Sequence, residues 1–284
     1  PSLQHDRVIK REELSNQASY LHALDLTNAE GRAGKGSQDK FKQIHHYIEL
    51  LKPMLQDIPE GQALHVMDMG AGKGYLTFAL YDYLSNTRHL NVQMTGIEQR
   101  AYLVQIGNTV AEQCGYSRLH FREGTIASTD ATGLDLLIAL HACDTATDDA
   151  ISFALHKRAK HIVLVPCCQA ETASVLRQNK ALFLSQTPLA ELWRHPLHTR
   201  EMGSQLTNVM RCLYLESQGY KVTVTELVGW EHSLKNELIL AQYTGRKKHS
   251  ARERLRALVE QFGLQTLAQQ RYPLAWASES EPQA

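Results

Sequence analysis

The sequence predicts a doubly wound α/β sheet, and three observations carry the prediction. The first is a strand, a glycine turn and a helix in succession. Val66 and Met67 lead into Asp68, glycines stand at 70, 72 and 74, and Leu76, Ala79, Leu80 and Tyr83 then repeat at helical spacing. The second is the alternation of short apolar strands with amphipathic helices from there to Pro166, the pattern of a parallel sheet covered on both faces. The third is Leu134-Asp-Leu-Leu-Ile-Ala-Leu140, a nearly unbroken apolar run that suits a strand buried on both sides.

The elements follow in order. Residues 1–30 are polar, with a helix expected around Glu12–Leu24. Gly31-Arg-Ala-Gly-Lys-Gly-Ser37 imitates a phosphate loop, but no strand precedes it and Gly36 stands where Ser or Thr belongs. It reads as a linker or as a loop that touches substrate. From Asp39 to Leu51, Phe41, Ile44, Ile48 and Leu51 share one helical face, and Pro53 helps to end the helix. Lys40, Lys42, Gln43, His45 and His46 occupy the other face, which is either solvated or a cover over the ligand site.

Strands are expected at 64–68, 91–98, 118–122, 134–140 and 161–166, with helices at about 74–85, 99–114 and 147–157. Gly115 is placed to stop the second of these helices. Residues 170–203 look less regular. A helix over 204–218 turns Leu206, Val209, Met210 and Leu213 inward and stops at Gly219. Tyr220–Val228 and Glu237–Tyr243 read as two further strands. Arg246-Lys-Lys-His249 is a basic linker, and a last helix at about 250–262 buries Leu255, Leu258, Val259 and Phe262. Ser278–Ala284 has the composition of a disordered tail. The expected organisation is an N-terminal helical extension (1–52), the α/β domain (53–245) and a C-terminal helix with its tail (246–284).

Composition sets outer limits. The 284 residues are 43% hydrophobic, as in a globular protein, and 30 Lys and Arg balance 30 Asp and Glu. No overall field draws the chain to nucleic acid, although a local basic patch stays open. No apolar run approaches the roughly 20 residues that span a bilayer, and Pro1–Arg7 lacks a signal-peptide core. The five cysteines, an odd number, are expected mostly within apolar strands and read as reduced thiols of a cytoplasmic protein.

The glycine turn narrows the ligand. A dinucleotide fingerprint is Gly-x-Gly-x-x-Gly; here the third glycine comes one place early, and Tyr75 stands where the motif wants glycine. A Walker loop needs Ser or Thr after its lysine, and Gly74 follows Lys73. What remains, Asp68-Met-Gly-Ala-Gly-Lys-Gly74, resembles motif I of the class I S-adenosylmethionine (SAM) methyltransferases. Glu98, after Val92-Gln-Met-Thr-Gly-Ile97, stands where that family ends its second strand in an acid.

The resemblance implies a Rossmann-like, seven-stranded, mostly parallel sheet with an antiparallel last strand and helices on both faces. It implies SAM as cofactor, held by Asp68, Gly70, Ala71, Gly72 and Gly74 at the methionine end. Glu98 and Gln99 would then meet the ribose, Thr125 and Ile126 the adenine, and Leu140 and His141 the floor of the pocket.

Two strand ends carry the remaining chemistry, since ligands of such sheets lie beyond the carboxyl ends of the strands. One is His141-Ala-Cys143-Asp144-Thr-Ala-Thr-Asp148 and the other Pro166-Cys167-Cys168-Gln169. Together they resemble a subgroup of methyltransferase-like proteins that includes the eukaryotic tRNA ribose 2′-O-methyltransferase. Asp39-Lys-Phe-Lys-Gln-Ile44 and Glu231-His-Ser-Leu-Lys-Asn236 resemble segments of its bacterial relatives. The chain departs from the tRNA enzyme in having no cysteine before Cys114, Gln169-Ala170 in place of His-His, and Asp144 in place of glycine.

His141, Asp144, Cys143 and Cys167 are the candidate catalytic residues. His141 can accept a proton near neutral pH, or it can simply shape the pocket. Asp144 can orient a nucleophile or act as base, or cap the following helix. The thiols suit buried packing, covalent attack as in cytosine-C5 methyltransferases, or zinc. No Cys-x-x-Cys spacing is present, and no metal is expected. The favoured methyl acceptor is RNA, tRNA or rRNA, with a small molecule, a protein, or a SAM-binding protein without catalysis as alternatives.

Overall fold

A computed structural model of the chain describes residues 18–28, 30–32, 37–126, 133–140, 144–166, 170–178, 187–227 and 237–277. His141, Cys143, Cys167 and Cys168 lie outside the described residues, as do Glu231–Asn236, most of the 31–37 loop and the 278–284 tail.

Strands β1 (Ala63–Met69), β2 (Asn91–Glu98), β3 (Leu119–Glu123), β4 (Leu136–Ala139), β5 (His161–Leu164), β6 (Tyr220–Glu226) and β7 (Glu237–Tyr243) form one sheet in the order β3-β2-β1-β4-β5-β7-β6. The pairs among β1 to β5 are parallel, and β7 runs antiparallel to both β5 and β6. The chain winds outward one way from β1 and the other way from β4. The β1–β4 junction is therefore the topological switch point, where such sheets open a crevice for ligand.

Alternating side chains divide the core between two faces, because successive residues of a strand point to opposite sides. Leu64 and Val66 of β1 and Leu136 and Ile138 of β4 join one cluster; Met67, Met69, Leu137 and Ala139 join the other. The first cluster is closed by α1 (Ser19–Ala23), α2 (Gln38–Leu55), α3 (Tyr75–Asp82) and α4 (Ala101–Gln113). The second is closed by α5 (Thr145–His156), α6 (Ala170–Gln178), α7 (Pro196–Ser217), α8 (His249–Gln261) and α9 (Gln265–Arg271). Among the described residues no helix is long and apolar enough to cross a membrane.

Several expectations need correction. Pro53 does not stop α2 at once: the helix runs two residues further, to Leu55, since a proline lacks only its own bond to the carbonyl four residues back. After Asp82, α3 continues as a π-helical turn over Tyr83–Thr87. The stretch read as irregular contains α6, a 3-10 turn at Pro188–Trp193 and the first turns of α7. Proline at the first position of α7 suits a helix start. The inward face of α7 is also different: Val209 is exposed, while Thr207, Asn208 and Arg211 are buried. Of the two described cysteines, Cys114 follows α4 and Cys212 lies within α7, so neither is in a strand.

Candidate active site

The end of β1 and the start of α3 build the crevice wall. Gly70, Gly72 and Gly74 all have positive φ, at 80°, 60° and 77°, values that favour glycine. At Gly74 a β-carbon would also stand 3.1 Å from the Phe78 ring and 3.2 Å from Phe121. The turn is stapled to the end of β2: the Gly70 and Ala71 N–H groups both donate to the Ile97 carbonyl (2.8 and 3.1 Å), and the Gly72 N–H donates to Glu98 Oε2 (2.9 Å). Gly74 N–H donates to the Ala71 carbonyl. The turn thus spends these N–H groups on its own shape, and the donors left to a ligand are those of the first turn of α3.

Two carboxylates flank the turn in opposite electrostatic states. Asp68 is buried and accepts a 2.5 Å hydrogen bond from Thr77 Oγ1. Burial raises its pKa to about 6, against the Thr77 hydrogen bond and with help from the Glu98 charge. The Tyr47 hydroxyl of α2 is also buried and has no hydrogen-bond partner among the described residues; burial first, and then the Asp68 charge, holds its proton on.

Glu98, by contrast, is held below the ordinary glutamate range. The main cause is the hydrogen bond from the Arg100 guanidinium; burial opposes it, and the Arg100 and Gly72 N–H groups add to it. Arg100 contributes Nε to Oε1 at 2.8 Å, Nη2 to Oε2 at 3.2 Å and its own N–H to Oε1 at 3.1 Å. Neither Thr77 nor Arg100 was singled out from sequence; Arg100 stands two residues after Glu98, whereas Thr77 reaches Asp68 from nine residues on, within α3.

The other expected contact residues surround this pair. Ala71 and Leu140 are buried, Gln99 and Thr125 are exposed, and Ile126 packs partly against the second core cluster. Gly124 N–H donates to the Glu98 carbonyl, which draws the segment after β3 to the same edge. Above the turn, Lys40 of α2 donates to the Tyr75 hydroxyl at 3.4 Å and sits 4.6 Å from that ring's centroid.

Asp144 is the described member of the four candidate catalytic residues. It occupies the N-cap position of α5 with φ 50° but makes no side-chain cap there. Its Oδ1 instead accepts the Ala170 N–H, the first of α6, at 3.2 Å, so it ties the end of the β4 loop to the helix after β5. Its carbonyl accepts Arg211 Nη2 at 2.9 Å.

Arg211 is fully buried and grips Asp148 with two bonds, Nε to Oδ1 at 2.8 Å and Nη2 to Oδ2 at 2.7 Å. Asn208 Oδ1 accepts Arg211 Nη1, Asn208 Nδ2 donates to Glu237, and the Tyr272 hydroxyl reaches Asp148. Sequence reading missed this network. Its one signal was an arginine inside an otherwise apolar and small-residue helix stripe. Among the described residues no group of His, Cys, Asp and Glu is arranged to hold a metal.

The arrangement fits a ligand with a cation and a diol. Asp68 is a buried carboxylate with no cation paired to it among the described residues, which suits an α-ammonium; Glu98, ionised at the end of β2, suits ribose hydroxyls. A family model described as "Methyltransferase domain" matches residues 39–175. No curated protein matches the chain. Among solved structures, the chain is similar to the Aeropyrum pernix fibrillarin solved with natively bound S-adenosyl-L-methionine, at 13% identity over 68% of this chain and 74% of that one, TM-score 0.38. It is also similar to an rRNA methylase from Streptococcus thermophilus, at 10% identity over 69% of this chain and 95% of that one, TM-score 0.42. Those likenesses are distant, and the weight rests on the strand order, the glycine turn and the family match. Residues 39–175 thus match a methyltransferase domain on a sheet of the order given above, and the cofactor that goes with such a domain is S-adenosylmethionine.

Proposed function

We propose that the protein transfers a methyl group from SAM to RNA, with tRNA or rRNA as the acceptor. The observation that carries the RNA reading is Lys40, in the first turn of α2, seated on Tyr75 at the lip of the glycine turn. Lys40, Lys42 and Lys73 are exposed there, and a phosphate backbone crossing the crevice would meet them. The motif resemblance points the same way.

When bound, the cofactor supplies a methyl group on a positively charged sulfur. Asp68 would hold its ammonium, the glycine turn would let the backbone approach, and Glu98 would accept from the ribose hydroxyls in exchange for its bonds from the Arg100 guanidinium. Methyl transfer is an in-line displacement, so orientation and removal of one proton are what the protein adds. His141 and Asp144 are the proposed proton acceptors. The Asp144–Ala170 bond keeps that carboxylate between the β4 and β5 ends.

The test is transfer from methyl-labelled SAM into extract of cells lacking the gene. Label in large material that nuclease releases supports RNA. Label that survives nuclease and passes a small-pore filter would replace RNA by a metabolite, and label released by protease would replace it by a protein. His141→Ala is expected to cut turnover by a factor of about 100 or more, within the usual range for a general base, with SAM affinity nearly unchanged. Equal losses in both would make His141 a pocket-shaping residue.

Asp68 also predicts a pH dependence. Its folded pKa, about 6, lies above the ordinary 3.8. The folded chain therefore takes up this proton before the unfolded chain does, so the contribution of Asp68 to stability improves as pH falls through 6 and is a cost above it. Asp68→Asn is expected to raise the melting temperature of the ligand-free protein at pH 7.5, with the gain shrinking by pH 5, and to weaken SAM binding at both. A gain of the same size at both pH values would contradict the assignment.

A further inference from the structure

The far end of the sheet holds a second recess, of about 480 Å³, within the range of roughly 300–1,000 Å³ usual for small-molecule sites. It opens between the C-terminal end of α5, the end of α7 and the paired ends of β6 and β7. Tyr243 ends β7, and its N–H donates to the Lys160 carbonyl just before β5. The recess therefore faces away from the glycine turn, separated by about a strand's length, roughly 20 Å.

Its walls combine an aromatic platform with unpaired cations. Tyr243 is 49% exposed, and its ring is braced edge-on by Tyr220, centroid to centroid 5.2 Å. Tyr220 is itself anchored, its hydroxyl donating to the Ala159 carbonyl at 2.6 Å. His156, Arg158 and Lys247 line the same space, and Arg158 and Lys247 have no ion-pair partner among the described residues. Arg158 adopts φ 55°, a left-handed conformation that glycine usually takes at this place after a helix.

A recess of about 400 Å³ that shares Tyr220 with it adds Lys221 and Arg246, along with Lys248, which is paired with Glu216. Neither lining includes an Asp or Glu, and Glu216 nearby is already claimed by Lys248 and Arg254. In a chain of zero net charge this is a concentrated positive field around an open aromatic face, the combination that receives a base and its phosphate.

We propose that this recess binds a nucleoside phosphate, with the base stacked on Tyr243 and the phosphate held by Arg158 and Lys247. The ligand is either a free nucleotide or one unit of an RNA strand. The site is independent of what the methyl acceptor is.

The test titrates the full chain with uridine monophosphate, which lacks the adenine of SAM, and separately with a short fluorescein-labelled single-stranded RNA. Saturable binding of either probe is expected, weakened about tenfold or more by Tyr243→Leu and by Lys247→Glu, and unchanged in Glu98→Ala. Both substituted side chains are exposed, and unchanged melting curves confirm that the fold is intact. Binding of the mononucleotide assigns the site to free nucleotide; binding of the RNA alone assigns it to a strand. Absence of saturable binding by both probes overturns the proposal. So does binding that Tyr243→Leu or Lys247→Glu leaves unchanged.

Discussion

Arg211→Met is expected to destabilise the folded chain by about 3–5 kcal/mol, the cost of leaving a buried charge without its partner. Asp148, almost fully buried, receives two hydrogen bonds from Arg211, and without them its carboxylate keeps, among the described residues, only the 3.3 Å contact with Tyr272. The Asp144 carbonyl loses its guanidinium at the same time. Since domains of this size are stable by only about 5–15 kcal/mol in total, the variant should unfold at much lower denaturant. Replacing both partners, Arg211→Met with Asp148→Leu, is expected to recover much of the loss, because no buried charge then remains. Urea unfolding of the three proteins decides it. A loss under about 1 kcal/mol for the single variant would mean that water reaches Asp148 and the pair is not buried in solution.

The network also explains which parts of the molecule could be read in advance. The strands from β1 to β5 were legible because glycine punctuation and period-two burial are local properties. Leu136, Leu137, Ile138 and Ala139 can only be a strand covered on both faces, and they are. The first turns of α7 were not legible. Their buried residues are Thr199, Gly203 and Ser204, small or polar groups that leave no apolar stripe. They are buried because α6 lies close: a β-carbon at Gly203 would stand 2.7 Å from the Ala173 backbone nitrogen.

Arg211 escaped for a related reason. A charge turned inward is stable only with partners from distant segments, here Asp148 and the Asp144 carbonyl, and no local pattern encodes those. The motif acids were visible as residue types, whereas their contrasting ionisation depends on Thr77, Arg100 and depth of burial. The same holds for Asp144. Its position before α5 suggested a cap, but the positive φ turns its carboxylate toward α6 instead.

The second large effect is expected at Glu98. Removing the carboxylate with Glu98→Ala deletes the proposed acceptor for the ribose hydroxyls, and hydrogen bonds to a charged group contribute about 1.5–3 kcal/mol each. One such bond lost corresponds to roughly a 10- to 100-fold weaker SAM affinity by calorimetry. Glu98 also accepts the Gly72 N–H, so a loss of affinity alone does not distinguish a lost ribose contact from a loosened turn. Arg100→Ala separates the two: it leaves the carboxylate and its bond to Gly72 in place while removing the guanidinium that occupies both oxygens. If Glu98 binds ribose, Arg100→Ala should leave SAM affinity equal or improve it, because the carboxylate no longer has to exchange partners. If Glu98 only braces the turn through its pairing with Arg100, both substitutions should weaken binding together. Unchanged affinity in Glu98→Ala would remove the ribose assignment altogether, and the acid at the end of β2 would then be a clamp on the glycine turn and nothing more.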